Sequence, residues 1–111
     1  MIVAIALSPN GTAGQGWGRA PHVAIARLED GRMQAWDVHD VQWDVLHDEG
    51  PEGGHHARIA RFLKEQRVEL VMAGHMGPPM VQMLARMGIA VRLGDDGDPR
   101  AAVTTAAAAA S

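Results

Sequence analysis

Two continuous apolar runs limit the possible folds of this chain more than any other feature. Ile2–Leu7 is apolar at every position, and residues 68–73 are apolar except for Glu69. Short runs without alternation are typical of strands in a sheet that is covered on both faces. We therefore predict that these runs form adjacent, central, parallel strands between helical layers.

The segment between these runs carries the pattern of a hairpin. Residues 23–28 and 33–38 are strand-like, and Asp30-Gly31 stands between them. An Asp-Gly pair between two such runs is a strong turn signal. Residues 41–46 are then interpreted as an extension of the third strand beyond a kink or bulge.

The sequence predicts three helices, from the helical spacing of apolar residues and from residues that commonly begin or end a helix, such as proline and glycine. They cover residues 55–67, Pro79 to Gly88 and Arg100 to about Ala109, with a last strand at residues 89–93. The alanine-rich residues 101–111 are expected to fray. The order β-β-β-α-β-α-β-α predicts an α/β protein with a five-stranded mixed sheet and flanking helices, and 111 residues correspond to a single domain.

Composition excludes several functions. The chain has no cysteine, which excludes disulfides, thiolate zinc sites and cysteine-ligated iron–sulfur clusters. One Phe, no Tyr and a net charge of −3 argue against a nucleic-acid partner. No apolar run approaches the ~18 residues of a membrane helix, and the opening run lacks the flanks of a signal peptide. We therefore expect a cytoplasmic protein without a membrane partner.

A binding site is expected at one edge of the sheet. Right-handed crossovers bring residues 8–18, 47–54 and 74–79 beyond the carboxyl ends of the strands, where α/β sheets bind ligands. Glycine N–H groups and helix N-termini favour anions there, and histidine and methionine add soft donors. The candidate cofactor-binding residues are Gly18, Arg19, Gly54, His55, Gly74, His75, Met76 and Gly77, and the candidate metal ligands are His75, His55 and His56.

Simpler interpretations remain open for these residues. Glycine-rich loops often serve only as turns, and Arg19 has Asp48 or Glu49 as alternative ion-pair partners. Adjacent His55 and His56 diverge by ~100° on a helix and form a poor chelate alone. No phosphate-binding Gly-x-x-x-x-Gly-Lys motif or nucleophile elbow is present, and the central strands lack the carboxylates of two-metal catalysis. We expect a protein that is not an enzyme.

Three motifs together resemble a known family. They are Gly18-Arg19-Ala20-Pro21, Gly53-Gly54-His55-His56-Ala57, and Val71-Met72-Ala73-Gly74-His75-Met76-Gly77-Pro78 with the later Gly88-Ile89-Ala90-Val91. In order and spacing they resemble the dinitrogenase iron–molybdenum cofactor biosynthesis family, which includes NifX-like and NifY-like proteins, the C-terminal domain of NifB and the orange protein. The resemblance extends from Ile2 to about Val103. It implies a ribonuclease H-like, three-layer fold and a single NifX-like cluster-binding domain over residues 1–111.

The resemblance also implies a function. It indicates non-catalytic binding or carriage of a preformed anionic metal–sulfur cluster, the iron–molybdenum cofactor or a related cluster or precursor. Such an assembly accessory has cluster donor and acceptor proteins as partners and is expected to be a monomer or weak homodimer. A cluster brings its own sulfides, so N–H donors, Arg19 and one or two imidazoles suffice to hold it. The alternative is a regulatory module that binds a small anion or a soft metal such as Cu(I), without a cluster.

Overall fold

The computed structural model describes residues 1–50 and 53–110. Pro51 and Glu52, within the predicted loop at residues 47–54, and Ser111, at the end of the alanine-rich segment, lie outside the described residues. The strands are β1 (Ile2–Leu7), β2 (His22–Glu29), β3 (Arg32–Asp40), β4 (Leu70–Ala73) and β5 (Ala90–Leu93).

The five strands form one mixed sheet in the order β3-β2-β1-β4-β5. β2 is antiparallel to both β1 and β3, whereas β1, β4 and β5 are mutually parallel. The two apolar runs are therefore adjacent central strands, and this prediction is confirmed. The predicted turn is present as well, with positive φ angles at Asp30 (53°) and Gly31 (76°), as a tight two-residue hairpin turn requires.

Three long helices follow the predicted order. They are α2 (Gly54–Gln66), α3 (Pro78–Arg86) and α4 (Pro99–Ala110), and a short helix α1 (Trp43–Leu46) and a 3-10 turn (Trp17–Arg19) accompany them. Asp98 caps α4, because its Oδ1 accepts the Arg100 backbone N–H at 3.0 Å. The alanine-rich segment predicted to fray is helical through Ala110 and buries Ala106 and Ala107. None of the helices in the described part of the chain is long and apolar enough to span a membrane.

Two hydrophobic clusters cover the two faces of the sheet. On one face, Ile59 and Leu63 of α2 and Leu84 of α3 pack with Trp17 and Trp43. On the other face, Val103 of α4 is fully buried in a cluster formed with alternate residues of β1 and β4. This arrangement gives the expected three-layer α/β architecture, with β1 and β4 buried on both sides.

The interpretation of residues 41–46 as strand is wrong. Gln42 adopts a left-handed conformation with φ of 54°, and α1 begins at the next residue. This turn brings the indole of Trp43 into the core, where its ring centroid lies 5.1 Å from that of Trp17 and 5.6 Å from that of Phe62. Burial of a large indole in an edge-to-face cluster is more favourable than extending an edge strand into solvent.

Candidate functional site

The candidate site begins where two loops meet at the sheet edge. The loop after β1 and the loop after β4 both leave carboxyl ends of parallel strands. The Gly74 N–H donates to the Gln15 carbonyl at 2.9 Å, and the Trp17 N–H donates to the His75 carbonyl at 3.1 Å. We call residues 14–19 and 74–77 the paired loops. Two backbone hydrogen bonds hold them together, which leaves their side chains free to line a site.

Gly74 and Gly16 permit the close approach of the paired loops, whereas Gly18 does not contribute to it. A Cβ at Gly74 would overlap the carbonyl oxygen of Gly14, and a Cβ at Gly16 would overlap the imidazole of His75. A Cβ at Gly18 would meet nothing within 4 Å. A larger residue at Gly74 would therefore force two backbone segments apart. A larger residue at Gly16 would only displace the movable His75 side chain.

The paired loops enclose a cleft of about 300 Å³, which we call the first cleft. Among the described residues no acidic side chain lines it, and the exposed guanidinium of Arg19 does. Within the same residues Arg19 makes no ion pair, so the alternative pairing with Asp48 or Glu49 is not observed. The charge of the first cleft therefore favours anions. It is lined by Gln15, Gly16, Trp17, Gly18, Arg19, His75, Met76 and Gly77.

His75 and Met76 supply the soft donors of the first cleft. The His75 ring is exposed and lies against Gly16, and in the described part of the chain its nitrogens have no hydrogen-bond partner. Met76 is half-buried and packs against the α2 and α3 side of the core. The cleft therefore presents one imidazole with an available lone pair next to one thioether.

His55 is engaged differently from His75. One N–H of the Arg58 guanidinium donates to its Nδ1 at 2.9 Å, so the ring proton lies on Nε2, which donates to the Gly18 carbonyl at 2.7 Å. Burial lowers the pKa of His55; the hydrogen bond to Gly18 opposes this effect and the charge of Arg58 adds to it. A metal at His55 would have to displace one of these bonds. In the structure His55 instead braces the loop that carries Gly18.

We call the hydrogen-bonded pair His55 and Arg58 the brace, and it also contacts the end of α1. The Arg58 guanidinium also donates to the Leu46 carbonyl at 3.1 Å, which ties the end of α1 to α2. His55 and Arg58 are three residues apart and therefore share a helix face. This spacing is a sequence signal for the bond between Arg58 and His55, but not for the bonds that either residue makes to Gly18 or Leu46.

The remaining candidates lie around the first cleft to different extents. Gly54 and His56 belong to the first turn of α2 and do not line it, whereas Gly77 lines it and caps α3. Prolines occupy the first two positions of α3, and the Met80 N–H donates to the Gly77 carbonyl at 3.1 Å. The start of α3 therefore lacks the free N–H groups that we expected for an anion. Pro78 and Pro79 have no N–H, and the N–H of Met80 is bonded to the Gly77 carbonyl.

Sequence reasoning missed Gln15, Gly16 and Trp17 as lining residues. The glycine spacing around them marked a loop but did not indicate which loop it would join. Trp17 is fully buried beneath the cleft, and among the described residues its Nε1 has no hydrogen-bond partner. An unpaired buried N–H costs about 1–3 kcal/mol, and the edge-to-face packing of the indole against Trp43 offsets part of this cost.

The described residues do not build a closed cage for a bare metal ion. No group of three or more His, Cys, Asp or Glu side chains lies close enough together within them to hold one. The first cleft instead offers a single free imidazole, a thioether and a guanidinium. Such a donor set suits a ligand that brings most of its own metal ligands and carries negative charge.

Fold and site together define a class, a three-layer α/β domain with a glycine-walled, anion-favouring cleft at the carboxyl edge of its sheet. The chain belongs to the dinitrogenase iron-molybdenum cofactor family, whose sequence model matches residues 1–109. The resemblance carried by the three motifs is thus confirmed. A comparison with curated proteins finds no match.

Solved structures share the architecture. The crystal structure of PH0822 is 18% identical, with a TM-score of 0.79 over 98% of this chain and 90% of that one. A Thermotoga protein provisionally assigned as NifB, of the DUF35 family, is 20% identical, with a TM-score of 0.70 over 96% and 87%. A provisionally assigned dinitrogenase from Methanocaldococcus jannaschii is 13% identical, with a TM-score of 0.65 over 94% and 85%. At these identities the likeness concerns the fold alone.

Proposed function

We propose that this protein binds and carries a preformed anionic metal–sulfur cluster, the iron–molybdenum cofactor or one of its precursors, in the first cleft. The observation that carries the proposal is the imidazole of His75 beside the guanidinium of Arg19, which makes no ion pair with any described residue, in a cleft that no described acidic side chain lines. Membership of a family in iron–molybdenum cofactor biosynthesis supports this cargo.

Each side chain has a separate part in holding the cargo. His75 provides one nitrogen ligand to an exposed metal of the cluster, and Met76 provides a soft thioether contact. The planar fork of Arg19 donates hydrogen bonds to sulfide or oxyanion edges. His55 is a positioning residue, because it holds the Gly18 carbonyl and so fixes the loop that ends at Arg19.

The same donor set supports carriage rather than catalysis. The chemistry of the cluster belongs to its metals and sulfides, and the cleft adds orientation and charge. An open cleft with few ligands releases its cargo more readily than a closed cage does. The partners of such a carrier are the proteins that donate the cluster and those that accept it.

The test uses the whole chain, purified without oxygen, and isolated iron–molybdenum cofactor as the probe. Molybdenum and iron that co-elute with the protein after gel filtration measure binding. We expect His75→Ala to lose most bound metal and Arg19→Gln to retain an intermediate amount, because Arg19 contributes charge but no coordination. His39→Ala is the matched control, since His39 lies on β3 against Phe62. Equal metal content in the parent and the His75 variant would refute the proposal.

Gly16 and Gly18 provide a second, finer test. Gly16→Ala should displace the His75 ring and lower cluster binding with little change in stability, because the overlapping group is a movable side chain. Gly18→Ala adds a methyl group into open space and should bind cluster like the parent. If both variants bind equally well, the position of the His75 ring is irrelevant to binding.

The adjacent imidazole and thioether of His75 and Met76 favour a second candidate function, Cu(I) binding. These are the ligand types that a soft, monovalent metal prefers. Competition titration with a Cu(I) chelator separates the two functions. A Cu(I) site would lose affinity in Met76→Leu and keep it in Arg19→Gln, whereas a cluster site would depend on Arg19.

A further inference from the structure

A second cleft lies at the same edge of the sheet but beside α4, and the proposed function does not use it. Its volume is about 410 Å³, and Trp36 and Val38 of β3, Pro9 of the loop after β1, and Arg100 of α4 contribute to its walls. None of the residues that line the first cleft lines this one. The second cleft is therefore a separate space with its own chemistry.

Arg100 is positioned in the second cleft by an aromatic face. Its guanidinium carbon lies 5.1 Å from the centroid of the Trp36 ring. Among residues 1–50 and 53–110, the guanidinium makes no ion pair and no hydrogen bond. A guanidinium above an indole uses its face for the ring and leaves the N–H groups along its edge available, and these can bind a carboxylate through two hydrogen bonds.

Apolar side chains form a platform in the second cleft, and the polar residues Asn10, His22 and Asp98 line the cleft as well. Trp36 is half-buried, Pro9 is exposed, and Val38 is 55% exposed, which makes it one of the few exposed large apolar side chains among the described residues. Ligand pockets commonly have this composition, with apolar walls and a few polar groups that fix orientation, and volumes of ~300–1,000 Å³.

We propose that the second cleft binds a small aromatic anion, with its carboxylate or sulfonate on the Arg100 fork and its ring on Val38, Pro9 and the open part of Trp36. The juxtaposition of an exposed apolar platform with a guanidinium that lies over an indole, and that has no polar partner among the described residues, carries this assignment. The positive end of the α4 dipole, at the same end of the helix as Arg100, adds to the preference for negative charge.

One negative charge opposes the ligand and provides a further test. Asp98 also lines the second cleft, and its Oδ1 accepts the Arg100 backbone N–H. Asp98→Asn removes the charge and keeps an oxygen that can cap α4, because Asn is as good an N-cap as Asp. This variant should bind the anion more tightly than the parent does.

The experiment compares two probes that differ in charge, naphthoate and its neutral analogue naphthylmethanol, on the full chain. Two-dimensional amide NMR spectra give both the affinity and the location. We expect naphthoate to shift the signals of Trp36, Val38 and Arg100 and to bind about fivefold more tightly than naphthylmethanol. Arg100→Gln should abolish this preference, and Arg86→Gln, an exposed arginine on α3, should preserve it.

Several outcomes would overturn the inference. Loss of naphthoate binding in Arg19→Gln would place the probe in the first cleft. An equal preference in the parent and in Arg100→Gln would show that the guanidinium does not bind the carboxylate. A naphthoate-induced shift pattern spread over the whole surface would show nonspecific association. Because Arg100 is exposed, unchanged amide spectra of the ligand-free variant confirm that it is folded.

Discussion

The two clefts share one sheet edge but are built from different parts of the chain. The first cleft is walled by glycine backbone, and two hydrogen bonds between the paired loops keep its shape. The second has its aromatic and basic side chains on regular elements, with Trp36 on β3 and Arg100 on α4, and the loop after β1 completes its wall. A loop-built site is sensitive to the addition of one methyl group, whereas a site on helix and strand is sensitive to the removal of one side chain.

The largest effect is expected where both clefts depend on the same framework. Ile5 on β1 is 1% exposed and Leu70 on β4 is 7% exposed. Truncation of either to Ala should lower the free energy of unfolding by about 2–5 kcal/mol, because a buried side chain is lost and a cavity remains. Chemical denaturation measures the change. A loss below about 0.5 kcal/mol would contradict the burial of these strands.

A smaller effect should separate the clefts. Gly74→Ala forces a Cβ against the Gly14 carbonyl, so the paired loops must move apart, at a cost of about 1–3 kcal/mol. Cluster binding in the first cleft should fall, and naphthoate binding in the second should stay. Gly18→Ala, in the same loops, is the control and should change neither. A Gly74→Ala variant as stable as the parent would contradict the close contact between Gly74 and the Gly14 carbonyl.

The stability of the helix beside the second cleft depends on the Asp98 cap at the start of α4. Asp98→Ala removes the oxygen that accepts the Arg100 backbone N–H, and loss of an N-cap costs about 1 kcal/mol. Thermal unfolding should report this loss, and Asp98→Asn should restore the stability. Cluster binding should be unchanged, because Asp98 does not line the first cleft. An Asn variant as unstable as the Ala variant would mean that the side chain has no capping role.

The smallest effect concerns pH and the brace behind the first cleft. The folded protein lowers the pKa of His55, so the unfolded chain binds the proton more readily. The stability that neutral His55 contributes is therefore complete above the ordinary histidine value of about 6.5 and is lost as pH falls through that value toward the lower folded pKa. The positive charge of Arg58 lowers the pKa of His55 further, and the nearby imidazoles of His47 and His56 act in the same direction.

Unfolding free energies of the parent and of His55→Gln, measured between neutral and mildly acidic pH, isolate this contribution. The parent should lose more stability in acid than the variant does. His39→Gln should keep the pH response of the parent, because His39 lies outside the brace. Identical pH responses of the parent and the His55 variant would show that the proton at His55 is not linked to folding.

The sequence allowed prediction of the framework because strands that are buried on both faces consist of continuous apolar residues. Ile2–Leu7 carries no polar residue, and this pattern was enough to place β1 in the centre of the sheet beside β4. The Asp30-Gly31 turn and the Asp98 cap were also readable, since local backbone conformation selects those residues. The placement of Trp43 was not, because its turn into the core depends on contacts with the distant Trp17 and Phe62.

The candidate site was predictable in position and only partly in detail. Crossover geometry brought Arg19 and His75 to one edge, where they line the first cleft together. Periodicity could not show that both nitrogens of His55 would be engaged. The bond of its Nε2 depends on the carbonyl of Gly18, which lies 37 residues away in the chain. The second cleft was not predicted, since Trp36 and Arg100 meet only through tertiary packing.

The half-buried thioether of Met76 has a consequence for how the protein behaves in air. Met76 lines the first cleft and packs against the core together with Met80 and Met83. Oxidation to the sulfoxide turns a soft sulfur donor into a polar group that no longer prefers a soft metal or an apolar neighbour. Exposure to peroxide would therefore alter the wall of the first cleft itself. Reduction by methionine sulfoxide reductases would restore the thioether, so the chemistry of this wall depends on the redox conditions around the protein.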